Sequence, residues 1–455
     1  MTDSMQAVYD YIDAHADEYV RDLQTLVRQP SVSAQGIGLR ECAELVRDMM
    51  HRDGLDARFY ELDGGPPVII GHMTTPRSPR TMLCYSHYDV QPPEPLDAWT
   101  HGGPWSANIV DGVMYGRGCS DDKSGILAFN KAAQALLQVR GELPVNLKFI
   151  IEGEEEIGSV HLGPWVEQHT ELLRADGMHC LDGPVDASTG LPDVDLGLKS
   201  VLFVELIARG ANTDVHSLYF PLLPAPVWDL VRALNTIMDE NRRILIDGWY
   251  DDLYALQDED YAQLEDKLRR VDLDDLKRGW GIDQFVLGRD GIDALKARAY
   301  EPTANIAGIV GGYTGPGSKT IVPNEARAKM DFRLPPHLDP QQAIQKLQRH
   351  LERHGFGHIE VHFEASAEPP YKISVKESMA QAIIAATTKL YGQPPIVNGV
   401  SAEGTILRHV WIPCVLTGFA SPGANLHAPD ENIRIDHYIQ GIKYAATIME
   451  EFGRM

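Results

Sequence analysis

The chain has 455 residues, more than one hydrophobic core usually fills, so two domains are expected. Hydrophobic residues make up 44% and charged residues 23%, an ordinary globular balance, while a formal net charge of −24 argues against nucleic acid or an anionic membrane surface as partner. No apolar run approaches membrane-spanning length, and the acidic start M-T-D-S-M-Q-A-V-Y-D lacks the features of a signal peptide. The five cysteines are scattered without a C-x-x-C pair, so reduced thiols and a cytoplasmic location are expected.

Residues 5–27 carry a helical stripe of Val8, Ile12, Tyr19, Leu23 and Leu26, stopped by Pro30. A second helix is predicted over 39–51, then short strands over 57–61 and 68–71. The run T-M-L-C-Y-S-H-Y-D-V from Thr81 reads as a strand whose His87 and Asp89, two apart, share a face. A histidine beside a carboxylate is the pattern of a metal ligand and the group that orients it. After a loop over 91–108 and a hairpin turn at Asp111-Gly112, Asp121 and Asp122 stand just ahead of a helix over 124–139. A His-x-Asp pair alone is ordinary surface polarity, and an Asp before a helix is an ordinary cap. Together, at this spacing, they carry more.

A strand over 145–151 then runs into E-G-E-E-E-I-G-S, and the strand G-M-H-C-L-D-G ends at Asp182. A run of glutamates is usually a solvated face, but this one follows an apolar strand, where α/β folds keep their sites. His179, three residues before Asp182, reads as a residue that packs or faces solvent. From Lys199 the texture changes to alternating strands, with a charged helical stretch over 228–298 read as a solvated elaboration. Strands at 304–310, 319–321, 325–334 and 358–364 surround a helix over 340–354. The α/β pattern resumes with a helix over 377–391, a strand over 412–417 and a last helix over 437–452. The second unit is therefore expected to be inserted into the first.

The segments H-Y-D-V-Q-P, Y-G-R-G-C-S-D-D-K and E-G-E-E-E-I-G-S, the strand-end Asp182, and N-L-H-A-P-D-E-N follow one another in the order of a known set of metal-site motifs. On them, the whole chain resembles the aminoacylase/carnosine dipeptidase family, which includes glutamate carboxypeptidase and succinyl-diaminopimelate desuccinylase. The resemblance implies a mixed-sheet α/β catalytic domain (1–198 and 368–455) with an inserted α+β lid and dimerisation domain (199–367). It also implies two divalent metal ions: His87 and Asp182 on one, Glu156 and His427 on the other, Asp121 bridging. Asp89 would orient His87, and Glu155 would take a proton from the water shared by the metals. Zinc is the expected ion, and manganese and cobalt suit the same N/O donors. Two ions roughly 3.5–4 Å apart independently require a shared carboxylate. The order of Glu155 and Glu156 rests on the E-E-x-G-S match, and strand alternation alone leaves all three glutamates open. Asp121 over Asp122 rests on the match as well.

In the lid, His216 of D-V-H-S matches a histidine that reaches the partner's active site in the family's dimers and helps hold the substrate carbonyl. The glycine-rich stretch that usually follows is replaced here by Leu218, Tyr219, Phe220 and Pro221. Arg333 of D-F-R-L-P-P matches an arginine that binds the substrate carboxylate, and Thr320, Gly404 and Thr405 match positions near the substrate. The expected function is hydrolysis of a terminal amide in a small peptide by a homodimeric dipeptidase or related exopeptidase. The long helical insertion is closer to the dipeptidases than to the compact deacylases. An N-acyl-amino-acid deacylase is the alternative within the family, and an inactive binding protein on the same fold is the alternative outside it.

Overall fold

The computed structural model describes residues 4–187, 189–363, 369–401 and 412–455. An eight-stranded mixed sheet forms the larger unit, with spatial order 56–60, 68–73, 146–152, 81–87, 177–184, 414–420, 193–195 and 396–398. Strands Asn146–Glu152, Thr81–His87, Gly177–Pro184 and Cys414–Ala420 are its parallel centre. All four therefore point their carboxyl ends at one edge. Their alternation sorts the core into two faces. Met82, Cys84, Leu147 and Phe149 meet the helices Lys123–Arg140, Ser378–Tyr391 and Ile435–Arg454, whereas Leu83, Tyr85 and Met178 meet Leu162 and Trp165. Burying each large apolar side chain contributes about 1.5–3 kcal/mol.

The second unit is a four-stranded antiparallel sheet in the order 303–311, 325–334, 200–209, 360–363. Strict alternation in Glu325–Leu334 places Ala328, Met330 and Phe332 against the helices Pro226–Ile237 and Pro340–Arg353. The expected boundary at 367/368 lies outside the described residues. The fold is thus the mixed-sheet α/β unit with an α+β lid read from the sequence.

Several elements differ from expectation. The stripe over 5–27 is two helices, Ser4–Ala14 and Ala16–Arg28, meeting at His15. The three-residue strands Asp193–Asp195 and Ile396–Asn398, too short to show a period, were not anticipated. The stretch 228–298 is not merely a solvated elaboration. After the helix Pro226–Ile237, the chain leaves helical structure and buries Ile244, Ile246 and Trp249 in the lid core. The helices Asp258–Arg270, Leu273–Trp280 and Gly291–Tyr300 then build a small core of Leu264, Leu273, Leu295 and Tyr300 that closes on Val400. Within it Asp260, fully buried, accepts from Tyr254 (2.8 Å) and Tyr300 (3.0 Å) and pairs with Lys372 (2.9 Å).

Candidate metal centre

Strand Thr81–His87 stops at His87, so Asp89 lies beyond it and the face-sharing argument for the pair does not apply. The contact arises differently: His87 Nδ1 is 3.1 Å from the Asp89 carbonyl oxygen and 3.4 Å from its carboxylate Oδ1. Both Asp89 carboxylate oxygens also accept backbone N–H groups, from Glu155 and Glu156, each at 3.1 Å. Asp89 thereby ties the His87 strand end to the glutamate run.

That run is not strand either. Glu155–Ile157 is a 3-10 turn, whose consecutive side chains splay by about a third of a turn rather than alternating, so two neighbouring glutamates can serve one cavity. The turn separates the three acids. Glu154 turns away and accepts from His161 (Nδ1 2.8 Å, backbone N 3.0 Å). Glu156 lies 3.3 Å from His427 and is held by the backbone N–H and side-chain amide of Gln91, at 3.1 and 2.8 Å. The Glu155 carboxylate makes no hydrogen bond among the described residues. Burial, with the charges of Asp182, Asp121 and Glu156, pushes its pKa well above the carboxylate range against the opposing pull of His87.

Asp121 stands between the two histidines: Oδ1 is 3.1 Å from His87 Nε2, and Oδ2 is 3.0 Å from His427 Nε2. Asp182 Oδ2 is 3.4 Å from the same His87 nitrogen. Asp122 also comes within 4.8 Å of His87 and Asp182. Its carboxylate, however, accepts the backbone N–H of His87 (3.3 Å) and fills the space a side chain at Gly125 would take, with Oδ1 2.0 Å from where that Cβ would be. Asp121 is thus the acid that touches both histidines. Although burial works against it, the His427 hydrogen bond and the close His87 imidazole hold its carboxyl below the usual range, while His427 is raised to about 9, chiefly by Asp121.

These donors fit metal ions. His87 is fully buried, and its Nε2 makes no well-aligned hydrogen bond despite two carboxylate oxygens within 3.4 Å. Four acids with two imidazoles form an N/O donor set that suits zinc or a similar divalent cation. The groups His87–Asp122–Asp182 and Asp121–Glu156–His427 each present three ligand atoms within 4.8 Å of one another.

The lid residues are arranged otherwise. His216 is exposed, and its Nδ1 accepts from the Leu218 N–H at 3.1 Å. It pairs with Ile321 in a short ladder, and the backbone N–H of Ser217 donates to the carbonyl of Thr320, which is also exposed. Arg333 is half-buried on strand Glu325–Leu334. Gly404 and Thr405 lie outside the described residues. A cavity of about 310 Å³ opens beside Asp182, walled by Asp195, Asn398 and Ser401 on the sheet side and by Lys267, Arg298 and Tyr300 of the insertion on the other. Sequence reasoning passed over Gln91, Arg117 and Glu431. Each lies inside a quoted motif, but only the folded chain shows what it touches.

A buried and an exposed imidazole crowded by carboxylates that repel one another unless a cation lies among them, at the carboxyl edge of a parallel sheet, define a metal-dependent hydrolase. The chain belongs to peptidase family M20/M25/M40, whose model matches residues 83–451, and it is a metallopeptidase. It is 28% identical to the human Beta-Ala-His dipeptidase over 99% of this chain and 93% of that one. It is equally 28% identical to the Cys-Gly metallodipeptidase dug1 of Schizosaccharomyces pombe, over 99% and 98%. Among solved structures it resembles the M20 family metallo-carboxypeptidase Sso-CP2 from Sulfolobus solfataricus, with a TM-score of 0.88 and 35% identity over 96% of this chain and all of that one.

Proposed function

We propose that the protein is a dipeptidase that uses two divalent cations, zinc in the first instance, held by His87, Asp182, Glu156 and His427 with Asp121 shared. The observation that carries this reading is Asp121, one oxygen 3.1 Å from His87 and the other 3.0 Å from His427. The bound cations would supply Lewis-acid polarisation of the scissile carbonyl and a water acidic enough to ionise near neutral pH. Glu155, whose carboxylate makes no hydrogen bond among the described residues, takes the proton from the attacking water and returns it to the leaving amine. Asp89 keeps the His87 ring and the glutamate turn in register.

The cavity beside Asp182 receives the substrate. At about 310 Å³ it stands at the lower end of small-molecule sites, which favours a dipeptide over a longer chain. Its lining is of mixed charge, with Lys267 and Arg298 among Asp182, Asp186, Asp193 and Asp195. Arg333 of the lid is the fork-shaped partner for a terminal carboxylate. Sso-CP2 is described as a carboxypeptidase and the two curated relatives as dipeptidases, in keeping with this end of the substrate being gripped.

The protein acts as a homodimer through the lid. Strand Thr303–Gly311 is the lid sheet's edge and exposes Ile306, Ile309 and Val310, and Leu218, Tyr219, Phe220 and Leu222, just after His216 in the chain, are exposed as well. An uncovered apolar sheet edge is a pairing surface. A second copy would let His216 reach a neighbouring site. The five cysteines are all buried and unpaired, in keeping with the cytoplasm, and no helix among the described residues is long and apolar enough to cross a membrane. The test is a panel of dipeptides beside N-acetyl and N-succinyl amino acids, run with zinc, manganese and cobalt. Dipeptide turnover exceeding the others is expected, and preferential deacylation would replace the reading.

A further inference from the structure

The loop that carries Asp121 is fastened at four points to a single carboxylate 310 positions away. Glu431 Oε2 accepts from Arg117 Nη1 (2.8 Å) and the Gly118 N–H (2.9 Å), and Oε1 accepts from the N–H groups of Ser120 (3.1 Å) and Asp121 (3.2 Å). Glu431 and Arg117 are each only 1% exposed, so these bonds are made out of water, where charge-assisted contacts are strong. The carbonyl of Glu431 also accepts the Gly116 N–H (2.9 Å), and Asn432–Arg434 pairs with Val113–Tyr115.

Glu431 lies four residues after His427, in a turn of unusual backbone. Asn425, His427 and Asp430 have φ of 54°, 59° and 57°, left-handed values that side-chain-bearing residues adopt at a cost and keep only where surroundings enforce them. The His427 side chain is 57% exposed, whereas His87 is fully buried at the end of a central strand. Asp121 has a second anchor on its other side, because Lys123, opening the helix Lys123–Arg140, donates from Nζ to the carbonyls of Leu26 and Gln29. Of the elements around the centre, the His427 turn therefore depends most on Glu431.

From this geometry we infer that Glu431, held by Arg117, is the positioning residue that couples the Asp121 loop to the His427 turn and so sets the affinity of the second metal ion. The inference rests on the two-metal reading above. It assigns a task to a buried ion pair that would otherwise be costly to bury: without it, His427 is not held opposite Asp121 and Glu156.

The experiment is titration of the metal-free full-length chain with cobalt(II), followed by heat and by the visible absorption of bound cobalt. The wild type takes up two equivalents. Glu431→Gln keeps the shape but offers one carbonyl oxygen and an unwanted donor. It should bind the first equivalent like the wild type and the second about 10–100-fold more weakly. Its kcat should return at saturating cobalt, which a general loss of structure would not allow. Arg117→Lys, which replaces the fork by a single ammonium, should weaken the second equivalent to a smaller extent. Unchanged binding of both equivalents, or equal weakening of the two, overturns the inference. Should Glu431→Gln fail to fold, Arg117→Lys decides by the same criterion. A wild type that takes up fewer than two equivalents refutes the two-metal reading itself, and the inference with it.

Discussion

At the carboxyl edge of the eight-stranded sheet, His87, Asp121, Glu156, Asp182 and His427 lie within 3.0–3.4 Å of one or another of their number. In the lid, His216 and Thr320 sit exposed on a two-residue ladder, and Arg333 lies on a different sheet. Parallel strands bring their ends together by construction, so chemistry placed there is assembled by the same contacts that fold the core. The lid exposes His216 and Thr320, where on the proposed reading substrate or a second chain would meet them. On that reading the first region is preorganised and the second would be completed on binding.

Substitutions should separate the two regions in that order. Glu155→Gln removes the proton carrier but no proposed ligand, so kcat should fall by about 10²–10⁴ or more while the metal content stays at the wild-type value. Near-normal turnover in the folded variant would transfer the role to another glutamate. At the shared ligand, Asp121→Ala should abolish binding of both ions, whereas His427→Ala should spare one. Metal analysis after dialysis reads this, and identical partial loss in the two variants would remove Asp121 from its bridging place. His216→Ala in the lid should lower kcat by about 10²-fold with a smaller change in KM, as for a group that meets charge developing on the carbonyl. Mixing it with Glu155→Gln should restore part of the activity if His216 serves a partner's site. No recovery after confirmed subunit exchange would make it a same-chain residue.

The smallest effect belongs to a histidine set back from the edge. His179 is fully buried, donor or acceptor to Thr417 Oγ1 at 2.8 Å and edge-on to Phe129, and burial lowers its pKa to about 3. The unfolded chain, with a histidine near 6.5, binds a proton between about pH 6.5 and 3 that the native chain does not. Its contribution to stability is therefore complete above that window and declines as the pH falls through it, by at most about 1.4 kcal/mol per pH unit. His179→Gln should flatten this acid limb in urea denaturation. A limb as steep as that of the wild type would assign the effect to other groups.

Much of this arrangement was legible in the sequence because apolar runs announce strands and their ends announce the edge: His87 and Asp182 follow directly from that logic. Where local backbone departs from the regular element, the reading failed for a definite reason. Strand alternation was the wrong ruler for Asp89, beyond the strand end, and for Glu155 and Glu156, in a 3-10 turn. The strands Asp193–Asp195 and Ile396–Asn398 are too short for a period to show, and they frame the cavity beside Asp182. The charged stretch before Tyr300 looked solvated because charge was counted without partners. Asp260 has four of them, and no local pattern reveals a tyrosine forty residues on. Glu431 belongs to the same class, since a carboxylate that gathers N–H groups from a distant loop resembles any other acid in a list of residues.

Asp121 and His427 touch across 306 positions, with the whole lid between them. In the simplest chain-entropy count, closing a loop of that length costs on the order of 5 kcal/mol before any contact is gained. The centre is therefore built in two instalments. His87, Asp121 and Asp182 lie in the first half of the chain and can come together during synthesis, while Glu156 waits beside them for a histidine the ribosome has not yet made. On the proposed ligand set, a nascent chain would hold one ion long before it could hold two, and would become a two-ion peptidase only after its lid has been translated and His427 has returned to the first domain. Peptidase activity would then be withheld from the unfinished protein by the order of its own residues.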